Sequence, residues 1–144
     1  MMYQILNDYE IRRYKPRGKK AFLIRVLEPE YKEHGIPYHV NHLNDFSFVM
    51  ELYFHDIREN LPQKERFILF NEDMARNIME LITQNQFDEV VVHCNAGQSR
   101  SVGIMFGIAM LLKNERLEEE ILSDSYYMPN PIVVNSFRKI LNMK

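Results

Sequence analysis

The chain has 144 residues, and 46% of them are hydrophobic, which is enough to bury the core of a single domain spanning residues 1–144. Its formal net charge is -2, with acidic and basic residues spread along the sequence. A balanced charge excludes a general attraction to nucleic acid or to anionic membranes, so any preference for an anion must come from local geometry.

Cys94 is the only cysteine of the chain. It cannot form an intramolecular disulfide or dominate a zinc site, and no cofactor or metal is predicted. The N-terminus lacks a charged start followed by an apolar run, and no stretch reaches the roughly 18 apolar residues of a membrane span. We therefore expect a cytoplasmic protein with a free thiol.

The first half of the chain predicts two strands and a helix. Residues 21–27 form an apolar run that closes before Pro29, and residues 46–54 are rich in aromatic and aliphatic side chains, so both ranges are predicted as strands. A helix is predicted over residues 72–85, because Asn71 can cap it and four apolar residues share one face (Met74, Ile78, Leu81 and Ile82).

The second half continues the alternation of strands and helices. Residues 90–93 are a short β-branched run, typical of a strand inside a parallel sheet, and residues 101–112 are apolar nearly all round, which predicts a buried helix. Residues 117–122 and 131–143 predict two more helices, the last with four candidate buried positions (Ile132, Phe137, Ile140 and Leu141). The order of elements predicts an α/β fold, with a central, mostly parallel sheet flanked by helices.

The segment from His93 to Ser101 runs from the end of a predicted strand into the start of a buried helix. Backbone N–H groups converge at such a helix start, and the helix dipole adds partial positive charge, so an anion is stabilised there. The five residues between Cys94 and Arg100 can wrap around a phosphate group, with Gly97 permitting the tight backbone. We predict that this loop binds substrate through Asn95, Ala96, Gly97, Gln98, Ser99 and Arg100.

Four side chains of the same segment suggest catalysis. The planar guanidinium of Arg100 can hold two phosphate oxygens at once, which a lysine could not copy. The positive field favours the thiolate of Cys94, which is the nucleophilic form. Ser101 can donate its hydroxyl to the sulfur, and His93 can assist through its ring or its backbone.

The pattern His-Cys-x5-Arg-Ser in residues 93–101 resembles the signature of the cysteine-based protein tyrosine phosphatase superfamily. Its Ala-Gly-x-Ser-Arg-Ser form is most similar to the dual-specificity branch, as is the Pro-Asn-Pro start of the last predicted helix. Residues 1–45 carry no motif that adds to this. The resemblance implies the superfamily's fold and the hydrolysis of phosphate monoesters through a cysteinyl-phosphate intermediate.

By the same resemblance, a general-acid aspartate is expected on a mobile loop some thirty to forty residues before the nucleophile. Asp56 is the candidate, because it follows a predicted strand, and residues 58–64 after it would act as a lid. Asp73 and Asp45 are the alternatives, although Asp73 also suits the first turn of a helix. The implied roles of Asp56 are to protonate the leaving oxygen and then to activate water.

The leading expectation is a protein phosphatase acting on phosphotyrosine, with phosphoserine and phosphothreonine as further candidates. The alternatives are a phosphoinositide or RNA 5′-phosphatase and a phosphate-binding module without turnover. Relatives that take highly charged lipids often carry lysines in the loop, whereas Asn95, Ala96 and Gln98 are neutral here. We expect a monomer whose partner is a phosphorylated protein, with no nucleic acid and no membrane.

Overall fold

The centre of the fold is a sheet of four parallel strands. The computed structural model describes residues 1–59 and 66–142. Its strands are β1 (Met2–Leu6), β2 (Ala21–Leu27), β3 (Phe48–Tyr53) and β4 (Glu89–His93), in the spatial order β1-β4-β2-β3. Each neighbouring pair is parallel, which confirms the predicted fold class. The carboxyl ends of the four strands therefore lie at one edge of the sheet.

Six α-helices accompany these strands within the described ranges: α1 (Asp8–Ile11), α2 (Tyr31–His34), α3 (Glu72–Gln84), α4 (Arg100–Leu111), α5 (Glu115–Ser123) and α6 (Pro131–Ile140). The local sequence explains where three of them begin. The side chains of Asn71, Asn114 and Asn130 accept hydrogen bonds from backbone N–H groups in the first turns of α3, α5 and α6. A proline then occupies the first position of α6, where no N–H donor is needed.

The two central strands, β2 and β4, are buried along their whole length. Their even-numbered side chains, such as Ile24 and Val92, join a large core with α3 to α6 on one face of the sheet. Their odd-numbered apolar side chains, such as Leu23 and Val91, join a smaller core with Leu6 and other residues of the first 46 positions. Burial on both faces explains why these strands read as nearly continuous apolar runs.

Helix α4 lies between the sheet and the other helices. Eleven of its twelve residues are buried, as its apolar composition predicts. A Cβ atom at Gly107 would lie only 2.1 Å from the ring of Phe137, so glycine is what permits the close approach of α6. Only residues 94–99 separate the end of β4 from the start of this helix.

Several details differ from the sequence prediction. Strand β1 was not predicted, and β3 is shorter than residues 46–54. In α6, Phe137 is buried as predicted, but Val133 and Val134 are also buried, while the other three candidates (Ile132, Ile140 and Leu141) are only partly so. Of the predicted lid over residues 58–64, only residues 58 and 59 are described. Among the described helices, none is long and apolar enough to cross a membrane.

Candidate active site

A cavity of about 260 Å³ opens at the carboxyl edge of the sheet. It is formed by the loop of residues 94–100, here called the cradle loop, together with single residues that follow β2 and β3. The lining residues are Glu28, Asp56, Cys94, Asn95, Ala96, Gln98, Ser99 and Arg100. Clefts at this edge are where parallel α/β sheets bind their ligands.

The carbonyl groups of the cradle loop are bonded on its outer side. Their donors come from α1, α4 and the segment before α6: Asp8 N to Asn95 O (3.2 Å), Tyr126 Oη to Ala96 O (2.7 Å), Met128 N to Gln98 O (2.8 Å), and both Asn130 N (3.0 Å) and Gly103 N (2.9 Å) to Ser99 O. Within the described ranges, the N–H groups of residues 95–100 donate to no protein atom. An anion in the cavity would satisfy these donors, which is the basis of anion binding at a helix start.

Gly97 allows the backbone of the cradle loop to adopt the conformation in which its carbonyl groups accept these hydrogen bonds. Its φ angle is +63°, in the left-handed region where side chains cause strain. A Cβ atom there would also lie 3.0 Å from the carbonyl carbon of Leu6. The loop therefore rests directly on the junction between β1 and α1, and only glycine fits at this contact.

Cys94 is 2% exposed and lies at the base of the cavity. Its Sγ atom is 3.0 Å from the Oγ atom of Ser101, in the first turn of α4. Its backbone N–H donates to the carbonyl oxygen of Leu6. The sulfur thus faces the start of a twelve-residue helix, where the helix dipole favours negative charge, and it has a hydroxyl donor within reach.

Arg100 is held by two contacts that sequence reasoning missed. Its Nη1 donates to Phe54 O at 2.9 Å, and its Nη2 donates to Oε1 of Glu28 at 2.6 Å. Its Nε atom is buried and has no partner in the described part of the chain. The guanidinium has five N–H donors and two of them are used, so the Nε hydrogen and one hydrogen on each of Nη1 and Nη2 remain for an anion. The sequence offered one clue to the role of Glu28, because this residue directly follows the strand predicted over residues 21–27.

Asp56 is the only one of the three candidate acids that lines the cavity, as far as the described residues go. Its Oδ1 accepts from Ser99 Oγ at 2.7 Å and from Asn130 Nδ2 at 2.8 Å. Both contacts fall on Oδ1, which leaves Oδ2 for a substrate. Asp73 is instead 89% exposed beside an arginine of α3, and Asp45 lies 2.9 Å from Nδ1 of His42.

Arg58 connects the segment that carries Asp56 to the cradle loop. Its Nη1 donates to Ser99 Oγ at 2.9 Å and to Met128 O at 3.1 Å. Ser99 in turn donates to Asp56. These contacts hold the carboxylate close to the loop that contains the sulfur.

His93 lies behind the cradle loop and does not line the cavity. Its ring is fully buried, and its Nε2 accepts a hydrogen bond from Arg25 Nε at 3.1 Å. Burial lowers the pKa of His93, and the charges of Arg25 and Arg100 add to this, whereas the Asp8 carboxylate at 3.6 Å opposes it. The ring is therefore neutral near pH 7. Because the ring does not line the cavity, it cannot contact a substrate there as the sequence analysis predicted.

The neutral state of His93 makes stability depend on pH. The unfolded chain binds a proton at this residue below its ordinary pKa of 6.5, whereas the folded chain does so only at lower pH. We expect the free energy of unfolding to fall as the pH drops from about 7 to 5, by at most ~1.4 kcal/mol per pH unit from this residue. Urea unfolding at several pH values should show a shallower dependence for His93→Asn than for the wild type. Equal slopes would contradict the assignment.

Comparison with solved structures adds evidence on the fold. The structure of the human tyrosine phosphatase-like serine/threonine/tyrosine-interacting protein is similar with a TM-score of 0.57 and 15% identity, over 86% of this chain and 78% of that one. The structure of PTPMT1 in complex with PI(5)P is similar with a TM-score of 0.57 and 14% identity, over 85% of this chain and 77% of that one. No family model and no curated protein sequence matches this chain. The chain has the protein tyrosine phosphatase-like fold, in the form found in dual-specificity phosphatase-like proteins.

Proposed function

We propose that this protein hydrolyses phosphate monoesters through a cysteinyl-phosphate intermediate. The observation that carries the proposal is the arrangement around one cavity: the Cys94 sulfur at its base, free loop amides and Arg100 around it, and Asp56 on its wall. Each group matches one requirement of phosphoryl transfer, namely a nucleophile, a site for the transferred oxygens and a proton donor.

In the first proposed step, the Cys94 thiolate attacks phosphorus, so that a sulfur–phosphorus bond forms and the ester phosphorus–oxygen bond breaks. Asp56 gives its proton to the departing oxygen. In the second step, Asp56 takes a proton from water, the water oxygen bonds to phosphorus, and the sulfur leaves as a thiolate. Ser101, with its hydroxyl 3.0 Å from the sulfur, stabilises that thiolate, and inorganic phosphate is released.

Arg100 and the loop amides would hold the three non-bridging oxygens in both steps. Glu28 and the Phe54 carbonyl anchor the guanidinium, and its three remaining N–H donors, with Nε among them, are available to a substrate. Such donors act strongly when they are fixed before the reaction begins, because no reorganisation is then needed. Binding through non-bridging oxygens alone does not distinguish one phosphate ester from another.

Phosphotyrosine on a protein is the proposed substrate, with phosphoserine and phosphothreonine as further candidates. The variable loop side chains Asn95, Ala96 and Gln98 are neutral, and two carboxylates, Glu28 and Asp56, line the same cavity. This surrounding suits one phosphate group and disfavours a ligand with several phosphates. The free Cys94 thiol fits a reducing compartment, so we place the activity in the cytoplasm.

A phosphoinositide phosphatase is the second candidate, because one similar structure was solved as PTPMT1 in complex with PI(5)P. A third candidate is a binding module without turnover, since another similar structure is named a tyrosine phosphatase-like serine/threonine/tyrosine-interacting protein. The intact set of Cys94, Arg100 and Ser101 supports turnover over binding alone.

A substrate panel tests the proposal. We expect hydrolysis of p-nitrophenyl phosphate and of phosphotyrosine peptide, with kcat/KM for the peptide at least about tenfold above that for a short-chain phosphoinositide or an RNA 5′-triphosphate, a ratio that ~1.4 kcal/mol of transition-state discrimination supplies. Release of inorganic phosphate measures all substrates on one scale. Preference for the phosphoinositide would favour the second candidate, and phosphate binding without any turnover would favour the third.

A further inference from the structure

A charged side chain lies inside the sheet next to the proposed nucleophile. Arg25 belongs to β2, whose other residues are apolar, and it is only 3% exposed. Burying a charge in a protein interior is costly, and replacing a whole buried ion pair by apolar side chains of similar volume is often neutral or stabilising. A functional role would explain why the charge of Arg25 is kept inside the sheet.

The register of the sheet places Arg25 directly beside His93 of β4. Its Nε donates to His93 Nε2 at 3.1 Å, and its Nη1 lies 3.6 Å from Glu51 Oε2 on β3. Because arginine can only donate, His93 Nε2 must carry the lone pair, and the hydrogen of the neutral ring must sit on Nδ1. Arg25 thereby selects one of the two tautomers of His93.

The Nδ1–H group of His93 faces the carboxylate of Asp8, with Nδ1 3.6 Å from Oδ1. The same oxygen accepts a hydrogen bond from Tyr38 Oη at 3.1 Å. The ring of Tyr38 lies 5.7 Å from the guanidinium carbon of Arg25. These four side chains (Arg25, His93, Asp8 and Tyr38) lie together behind the cavity and are here called the polar ring. Two hydrogen bonds join them, Arg25 to His93 and Tyr38 to Asp8. The other two links are longer: Nδ1 of His93 has no hydrogen-bond partner in the described part of the chain and meets the Asp8 carboxylate through charge at 3.6 Å, and Tyr38 meets Arg25 only through its ring face.

This polar ring meets the cradle loop at two places. His93 directly precedes Cys94, and the backbone N–H of Asp8 donates to Asn95 O at 3.2 Å. The Asn95 carbonyl is one of those that must point outward for the loop amides to face the cavity. A shift of Asp8 would therefore release the first peptide of the loop.

We propose that Arg25 is a positioning residue for the reaction: by fixing the tautomer and orientation of His93, it holds Asp8 against the loop and keeps the loop amides aimed at the phosphate. The inference rests on the proposed function for its effect on turnover. The part of the inference that concerns the tautomer of the His93 ring can be tested without any enzymatic activity.

The test compares Arg25→Met, which keeps the side-chain volume and removes the charge, with the wild type. Imidazole nitrogen NMR, assigned with His93→Asn, should show His93 protonated on Nδ1 in the wild type and not held in that state in the variant. We expect kcat/KM for p-nitrophenyl phosphate to fall about 10- to 100-fold, the range caused by small misplacement of positioned groups. The His93 tautomer, measured in the folded variant, is the readout that a purely structural role would not move, because loss of one partner of a buried pair lowers the melting temperature by itself.

Two further variants keep the inference testable. Tyr38→Phe removes the hydroxyl that holds Asp8 and should lower kcat/KM by about 10-fold, the lower end of the worth of a hydrogen bond to a charged group. It decides the question if Arg25→Met does not fold. Ile24→Val changes packing in the same strand without touching the polar ring, and it should alter neither the His93 tautomer nor kcat/KM.

Unchanged kcat/KM and an unchanged His93 tautomer in Arg25→Met would overturn the inference. Where that variant does not fold, an unchanged kcat/KM in Tyr38→Phe would overturn it. Failure of the wild type to hydrolyse any phosphate monoester would instead count against the proposed function. In that case two measurements on the wild type and Arg25→Met still decide the inference: the His93 tautomer by NMR and the affinity for inorganic phosphate by calorimetry. Loss of the tautomer together with a loss of affinity in the variant supports the inference. If the tautomer or the affinity is unchanged, the inference is overturned.

Discussion

Replacing Cys94 by serine is expected to lower kcat for p-nitrophenyl phosphate by more than about 10⁴-fold, because a hydroxyl is not ionised near neutral pH and the covalent step is lost. Binding should survive, since the loop amides and Arg100 do not depend on the sulfur. Steady-state kinetics measure the first effect, and calorimetry with a phosphotyrosine peptide measures the second.

Ser101→Ala is the matched control for this variant. It removes the hydroxyl 3.0 Å from the sulfur but keeps the nucleophile, so we expect a much smaller loss of kcat. Turnover that survives in Cys94→Ser would rule out the covalent mechanism. Loss of both turnover and peptide binding would mean that the sulfur also maintains the loop.

The second large effect is expected from Asp56→Asn. Asparagine can still accept hydrogen bonds from Ser99 and Asn130, so the variant removes the proton and little else. We expect kcat/KM for phosphotyrosine peptide to fall by about 10²–10⁴, the usual contribution of a positioned acid. The loss should be smaller for p-nitrophenyl phosphate, whose leaving group departs without a proton.

Asp73→Asn provides the comparison, because Asp73 is an exposed carboxylate on α3 that does not line the cavity. Its kcat/KM should match that of the wild type on both substrates. Equal small losses in the two variants would mean that another group is the acid.

The segment from β4 to α4 could be predicted because its signals are local. Residues 90–92 are all valine and residues 102–112 are apolar, and these patterns decide where the strand and the helix lie. The order of strand, cysteine, glycine and arginine then limits what the loop can bind. Strand β2 was predicted with its observed bounds for the same reason, as a run before Pro29 that is apolar except for Arg25.

The parts that were missed depend on contacts between distant residues. Strand β1 lies at an edge of the sheet, and its mixed residues (Met2–Leu6) become a strand through pairing with β4. Glu28 is 72 positions from Arg100, and Arg25 meets His93 only because β2 lies next to β4. The order of strands in a sheet is not readable from local patterns, so neither pair could be predicted.

The most direct test of the central claim is to look for the phosphoryl group on Cys94. Asp56→Asn should be mixed with p-nitrophenyl phosphate and quenched in acid during turnover, because the variant lacks the group that activates water in the second step. Mass spectrometry is expected to find the mass of one phosphoryl group added to the peptide containing Cys94, and no such addition in Cys94→Ser. Continued release of inorganic phosphate with Cys94 unmodified at every quench time, or a phosphoryl group on another residue, would contradict the mechanism.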